Sequence, residues 1–165
     1  MLAALASSGA GDLEQSLPNT TAVAGEIGAR GEPRLRDVAG LLHRDGAPFS
    51  GYVVERTGDR VLSRTPYLEG RRHGRATAYY PGGELRFEKE FRAGNREGTH
   101  RGWWPSGALQ FVYRYEADLF EGEQRGYYET GARAELRHKA GREEGRQTTW
   151  DAEGGVAANY TFKDG

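Results

Sequence analysis

Glycine returns along this chain at a fixed step. From Gly74 the equivalents are Gly98, Gly122 and Gly145, at intervals of 24, 24 and 23 residues, and Gly51 lies 23 residues before Gly74. Other residues keep phase with these anchors. Five residues on stand Tyr79, Trp103, Tyr127 and Trp150; six on, Tyr80, Trp104, Tyr128 and Asp151; nine on, Gly83, Gly107, Gly131 and Gly154. Eleven on come Leu85, Leu109, Arg133 and Val156, and seventeen on Phe91, Tyr115, Lys139 and Phe162. A period of this length constrains the fold strongly, because one such unit cannot bury an apolar face alone and must stack on its neighbours.

The unit reads as a β-hairpin. Gly74 to Tyr80 forms one strand, and Pro81-Gly-Gly-Glu84 a tight turn. Leu85, Phe87 and Phe91 then alternate with Arg86, Glu88 and Glu90, the two-residue period of a strand with one wet face. Leu109, Phe111, Tyr113 and Tyr115 repeat the pattern. Four residues after each anchor the side chain is small (Ala78, Gly102, Gly126, Thr149), which leaves room for a ring of a neighbouring copy to lie flat across the strand. In the third copy Arg133 and Lys139 replace apolar residues, so that copy is expected to pack less well or to face a partner. Gly141 there comes one residue early and accounts for the 23-residue step.

The expected class is therefore all-β: an elongated single-layer array of antiparallel hairpins behind an irregular leader. Copies are placed at about 66–90, 91–114, 115–138 and 139–165, after a degenerate first copy at 38–65. In that first part Val38-Ala-Gly-Leu-Leu-His-Arg-Asp-Gly46 reads as one strand ending at a turn, and Thr57-Gly-Asp-Arg60 as the turn of the first hairpin. Residues 1–36 are rich in Ala, Gly, Ser, Thr and Pro without a period, with a short structured piece expected near Asp12–Leu17. Met1–Ala10 fits either the tail of a secretory signal or an Ala-rich tail. Export is slightly favoured over the cytoplasm.

Composition decides whether such an array can pack at all. Hydrophobic residues are only 36% of the chain and mean hydropathy is −0.79. Against disorder stand a net charge of only −1 and 3 Trp, 9 Tyr and 6 Phe, whose large apolar faces can build a thin core. Arg is interleaved with Glu and the isoelectric point is near 6.4, so the chain lacks the basic footprint of a nucleic-acid binder. Without cysteine there is no disulfide, thiolate nucleophile or cysteine metal ligand.

Three segments carry a resemblance: Pro48-Phe-Ser-Gly-Tyr-Val-Val-Glu55, Tyr67-Leu-Glu-Gly-Arg-Arg-His-Gly74 and Tyr79-Tyr-Pro-Gly-Gly-Glu-Leu85. The pattern resembles MORN repeats, in particular the bacterial MORN variant, over roughly residues 38–165. The resemblance implies a one-layer sheet of successive hairpins and roles in scaffolding, partner binding or membrane association. Proteins with such repeats often carry an antitoxin label, which implies neutralisation of a partner protein as a further role.

Catalytic patterns do not emerge. The glycines never form a phosphate-binding loop with its following Lys and Ser or Thr. Ser106 in Trp104-Pro-Ser-Gly107 occupies the hairpin turn, without the strand-to-helix setting of a nucleophile elbow. His43, His73, His100 and His138 fall at different phases of the repeat and read as solvated strand or turn residues, and no pair has metal-ligand spacing. The many Glu residues read as a solvated face.

The functional expectation is a non-enzymatic protein-interaction or scaffold module, with no cofactor and no metal. The alternatives are a peripheral envelope or membrane-surface protein and an antitoxin-like neutraliser. The candidate binding surface is the paired aromatic row of Tyr79, Tyr80, Trp103, Trp104, Tyr127, Tyr128 and Trp150. A protein partner is expected, lipid is the alternative, and nucleic acid is not. The chain stops at Tyr160-Thr-Phe-Lys-Asp-Gly165, where another hairpin would begin, so self-association through an open C-terminal edge is a further expectation.

Overall fold

The structure is a computed structural model that describes residues 21–23 and 35–163. The expected structured piece at 12–17 and the signal-like segment 1–10 lie outside the described residues. Ahead of the array stand β1 (Thr21–Val23), β2 (Leu35–Val38), β3 (Leu41–Arg44) and β4 (Ala47–Pro48). The hairpins follow: β5 (Gly51–Thr57) with β6 (Arg60–Leu68), then β7 (Arg71–Arg72), then β8 (Gly74–Tyr79) with β9 (Leu85–Arg92). Next come β10 (Asn95–Trp103) with β11 (Leu109–Glu116), β12 (Leu119–Phe120), and β13 (Gly122–Tyr127) with β14 (Arg133–Lys139). After β15 (Arg142–Glu143), β16 (Gly145–Trp150) with β17 (Val156–Phe162) completes the set. The described residues are all-β, and no helix among them is long and apolar enough to cross a membrane.

One sheet holds fourteen strands in the order β1-β5-β6-β8-β9-β10-β11-β13-β14-β16-β17, with β7, β12 and β15 as short side pairings. From β5 onward neighbours in sequence are neighbours in space and run antiparallel, the arrangement the repeat predicts. β1 alone adds in parallel, along β5.

Two kinds of turn alternate along the array. At one end the second residue of each aromatic pair closes a loop: the amide of Gly83 donates to the Tyr80 carbonyl at 2.8 Å, and that of Tyr80 to the Glu84 carbonyl at 2.8 Å. The same pair of bonds recurs at Trp104, Tyr128 and Asp151. At the other end two-residue turns carry positive φ at both positions, as in Ala93-Gly94 (50° and 97°) and Ala117-Asp118 (47° and 70°). Such turns match the right-handed twist of the strands they join. They are also stitched to one another: Gly70 donates to the Phe49 carbonyl, Gly94 to Arg72, Asp118 to Arg96 and Gly141 to Phe120, at 2.8–3.0 Å.

Two expectations need correction. Val38–Gly46 is not one strand. Ala39-Gly40 is a turn with φ of 53° and 79°, held by the Gly40 amide on Asp37 Oδ1 at 2.9 Å, so β2, β3 and β4 form a separate three-stranded sheet. This small sheet is tied to the array through buried Phe49, whose amide donates to Leu42 while Leu42 donates to Gly70.

The second correction concerns the 23-residue step. In β8–β9, β10–β11 and β16–β17 the register shifts by one beside the first aromatic of the pair, which is a β-bulge. β13–β14 pairs without a shift from Gly122↔His138 to Tyr127↔Arg133. The short copy has lost its bulge residue, and the shortening precedes residue 138. His138, not Lys139, therefore stands where Phe91 and Tyr115 stand in the other copies.

Candidate functional site

Each anchor glycine sits directly across the hairpin from a ring: Gly51↔Tyr67, Gly74↔Phe91, Gly98↔Tyr115, Gly122↔His138 and Gly145↔Phe162. A bare glycine lets the opposite ring lean over the strand. Because side chains alternate, the residues two and four beyond each anchor share that face with the rings. It is called the ring face below. At Gly102 the approach is so close that an added Cβ would collide with the Phe111 ring, in line with the small residue expected there. The ring comes from the partner strand of the same hairpin, not from a neighbouring copy, and at Gly126 no atom comes within 4 Å.

Between copies the pairing is short. β11 meets β13 at only two residue pairs, and β14 meets β16 at three. Beyond them the strands separate, and a side chain two residues after the anchor takes over. Gln124 accepts from the Arg114 amide at 2.9 Å and donates to the Arg114 carbonyl at 3.2 Å. Gln147 does the same to Arg137 at 2.8 and 2.9 Å. His100 donates from Nε2 to the Glu90 carbonyl at 2.8 Å. Their relative exposures are 2%, 3% and 2%, so these amide and imidazole groups replace missing ladder bonds inside the sheet. Between β6 and β8 the pairing also covers only two residue pairs; there Ala76 stands at the phase of the glutamines, and Pro66, at the phase of Arg114, has no N–H to satisfy.

The ring face is built on this frame. Phe91, His100, Tyr115, Phe120 and His138 follow one another across it, with centroid separations of 5.8, 4.6, 4.7 and 5.2 Å. Phe111 stacks on Tyr113 at 4.7 Å. The reading of all four histidines as solvated is corrected here: His100 is among the most buried side chains, and His138 has a buried Nδ1 without a hydrogen-bond partner. Burial pushes the His100 imidazole below its ordinary pKa, and Lys89 and Arg96 nearby push the same way.

No second layer of described chain covers these rings, yet Phe91 and Tyr115 are only 7% exposed and Phe111 and Tyr113 half-buried. Cations lie over them instead. The Arg72 guanidinium stands 4.5 Å from the Phe91 centroid, Arg96 4.4 Å from Tyr115, and Lys89 Nζ 4.3 Å from Phe87. Arg72 and Arg96 are equivalent positions, two residues before their anchors, and Phe120 occupies that position in the next copy. Arg96 is engaged by Asp118, whose Oδ1 accepts from its amide at 2.8 Å and its Nε at 2.9 Å. These bonds hold the Asp118 carboxyl below the usual range. Arg72, Lys89 and Arg96 rim a groove of about 380 Å³ floored by Phe91, Tyr113, Tyr115 and their neighbours.

The seven paired rings are arranged differently. Tyr79, Trp103, Tyr127 and Trp150 end their strands in phase with Thr77, Arg101, Arg125 and Thr148, on the face opposite the ring face. All four are half-buried, and Arg133 lies 4.3 Å over Trp150. The second rings reach sideways to the next copy. Tyr80 Oη donates to the Trp103 carbonyl at 2.9 Å, and Trp104 Nε1 to the Tyr127 carbonyl at 3.2 Å. Tyr128 makes no such bond and is 62% exposed. The repeat pattern groups these rings, whereas the cation-rimmed groove was missed in the sequence. The signals for it were Arg at the same phase in two copies and a lysine on an apolar strand face.

A tandem of hairpins forming a sheet one layer thick defines a repeat protein. Residues 72–93 match the family model of the MORN repeat variant, so the resemblance read from the sequence holds over that copy. The matched segment contains Arg72, Lys89 and Phe91, three residues of the groove. No curated protein matches the chain.

Proposed function

We propose that this chain is a non-enzymatic interaction module that docks a protein partner on the ring face. MORN repeats are, as a class, protein- or membrane-binding modules, and the family match supports a binding role. The observation that carries the reading is the surface of that face. Tyr and Phe rings lie under Arg and Lys rather than under a second layer of chain. Aromatic and Arg side chains dominate the energetics of protein interfaces, and a partner can bury both at once. In this reading the paired rings mainly hold copy to copy, and Tyr128 is the one among them open to a partner. Neutralisation of a toxic partner is a special case of the same docking.

Affinity capture from the native cell with the full chain tests the proposal. The expected result is one defined protein in stoichiometric amount that a second, untagged copy of the chain competes away. Capture of membrane vesicles without such a protein would replace it with the membrane-surface reading.

A further inference from the structure

The position of Lys89 is the odd one on the ring face. Its equivalents opposite the buried ladder residues are Tyr113, Leu136 and Tyr160. In one copy only, an ammonium group replaces an apolar side chain, half-buried among rings. Arg72 stands beside it in the groove. Neither cation has a carboxylate within ion-pair distance among the described residues. The acidic side chain that lines the groove, Asp118, is spent on Arg96. With Arg72, Lys89 and Arg96 against the one carboxylate of Asp118, the groove carries excess positive charge; Arg72 is exposed at its rim, while Lys89 is part-buried, and its burial and the charges of Arg86, Arg72 and Arg96 lower its pKa. Burying a cation without a partner is costly, and an incoming anion would relieve that cost.

Resting on the docking reading above, we propose that the groove receives an acidic segment of the partner protein. A carboxylate meets Arg72 and Lys89, and an adjoining apolar side chain lies on Phe111 and Tyr113, the half-buried rings of the groove. The floor decides between ligand chemistries. A bare phosphate would leave the rings uncovered. Phosphate sites also draw on clustered backbone N–H groups, and under this groove β10 and β11 are paired continuously from Gly98↔Tyr115 to Gly102↔Phe111. An acidic residue next to an aromatic or aliphatic one satisfies the cations and the rings together.

The probe is a fluorescein-labelled pentapeptide of glutamates around one tyrosine, titrated into the full chain at low salt and followed by anisotropy. Binding is expected, and Arg72→Gln and Lys89→Gln should each weaken it about tenfold. Arg142→Gln, outside the groove, should leave it unchanged, and Lys89→Arg should retain most of it. If Lys89→Gln fails to fold, Arg72→Gln and Lys89→Arg carry the comparison. A peptide that does not bind the wild-type chain overturns the groove assignment. So does binding of inorganic phosphate or phosphatidylserine vesicles that depends on Arg72 and Lys89 while the peptide stays free. A defined protein still captured from the cell in either case would leave the docking reading standing and move the interface elsewhere.

Discussion

At the scale of single residues, the array depends on three buried polar side chains. Gln124 is the partner of the Arg114 N–H and shares the Arg114 carbonyl with the Glu121 amide. Gln124→Ala leaves the Arg114 N–H without its partner inside the sheet and should cost about 1–3 kcal/mol in denaturant unfolding; a loss within experimental error would mean water fills the gap. His100 does related work with a titratable ring. Its pKa is lowered in the folded chain, so below 6.5 the unfolded chain binds a proton that the folded chain refuses. Stability should be constant above 6.5 and fall as pH drops from there toward the lowered folded value. His100→Gln, which installs the residue found in the next two copies, should flatten that acid limb in thermal melts. An unchanged limb would assign it to other groups. These positions were readable in principle, because Ala76, His100, Gln124 and Gln147 keep phase. Glycines and rings dominate the visible pattern, however, and nothing in a lone Gln announces that it replaces a strand.

At the scale of elements, the hairpins and the Pro-Gly and Gly-Gly loops were legible because their turn chemistry is written in residue types. The other turns were harder. Ala39-Gly40 escaped notice because alanine seldom takes positive φ, and Ala93 and Ala140 show the same unusual choice. Asparagine tolerates that region better, so Ala93→Asn should stabilise the array by about 1 kcal/mol, read from the shift in melting temperature. The missing bulge offers a second test. Inserting one glutamine between Arg133 and Ala134 should restore a 24-residue copy with little effect on unfolding. The same insertion between Glu123 and Gln124 reverses the faces of the strand and should melt the copy. Equal damage from both insertions would contradict the bulge account.

At the scale of the whole molecule, a sheet one layer thick has two faces, and the repeat says little about which one meets a partner. The period showed the order of the strands, because each unit needs its neighbours. It hid the groove, because a periodic pattern averages away the departure that makes one copy special: Lys89 where the others carry Tyr113, Leu136 and Tyr160. The groove also draws on residues before and after two successive turns, which only the folded register brings together. Hydroxyl-radical footprinting of the full chain, free and bound to its captured partner, tests the central claim most directly. The account predicts that Phe111 and Tyr113, the half-buried rings of the groove, lose labelling in the complex while Tyr79, Trp103, Tyr127 and Trp150 on the opposite face keep theirs. Protection of those four rings with the ring face still labelled would contradict it.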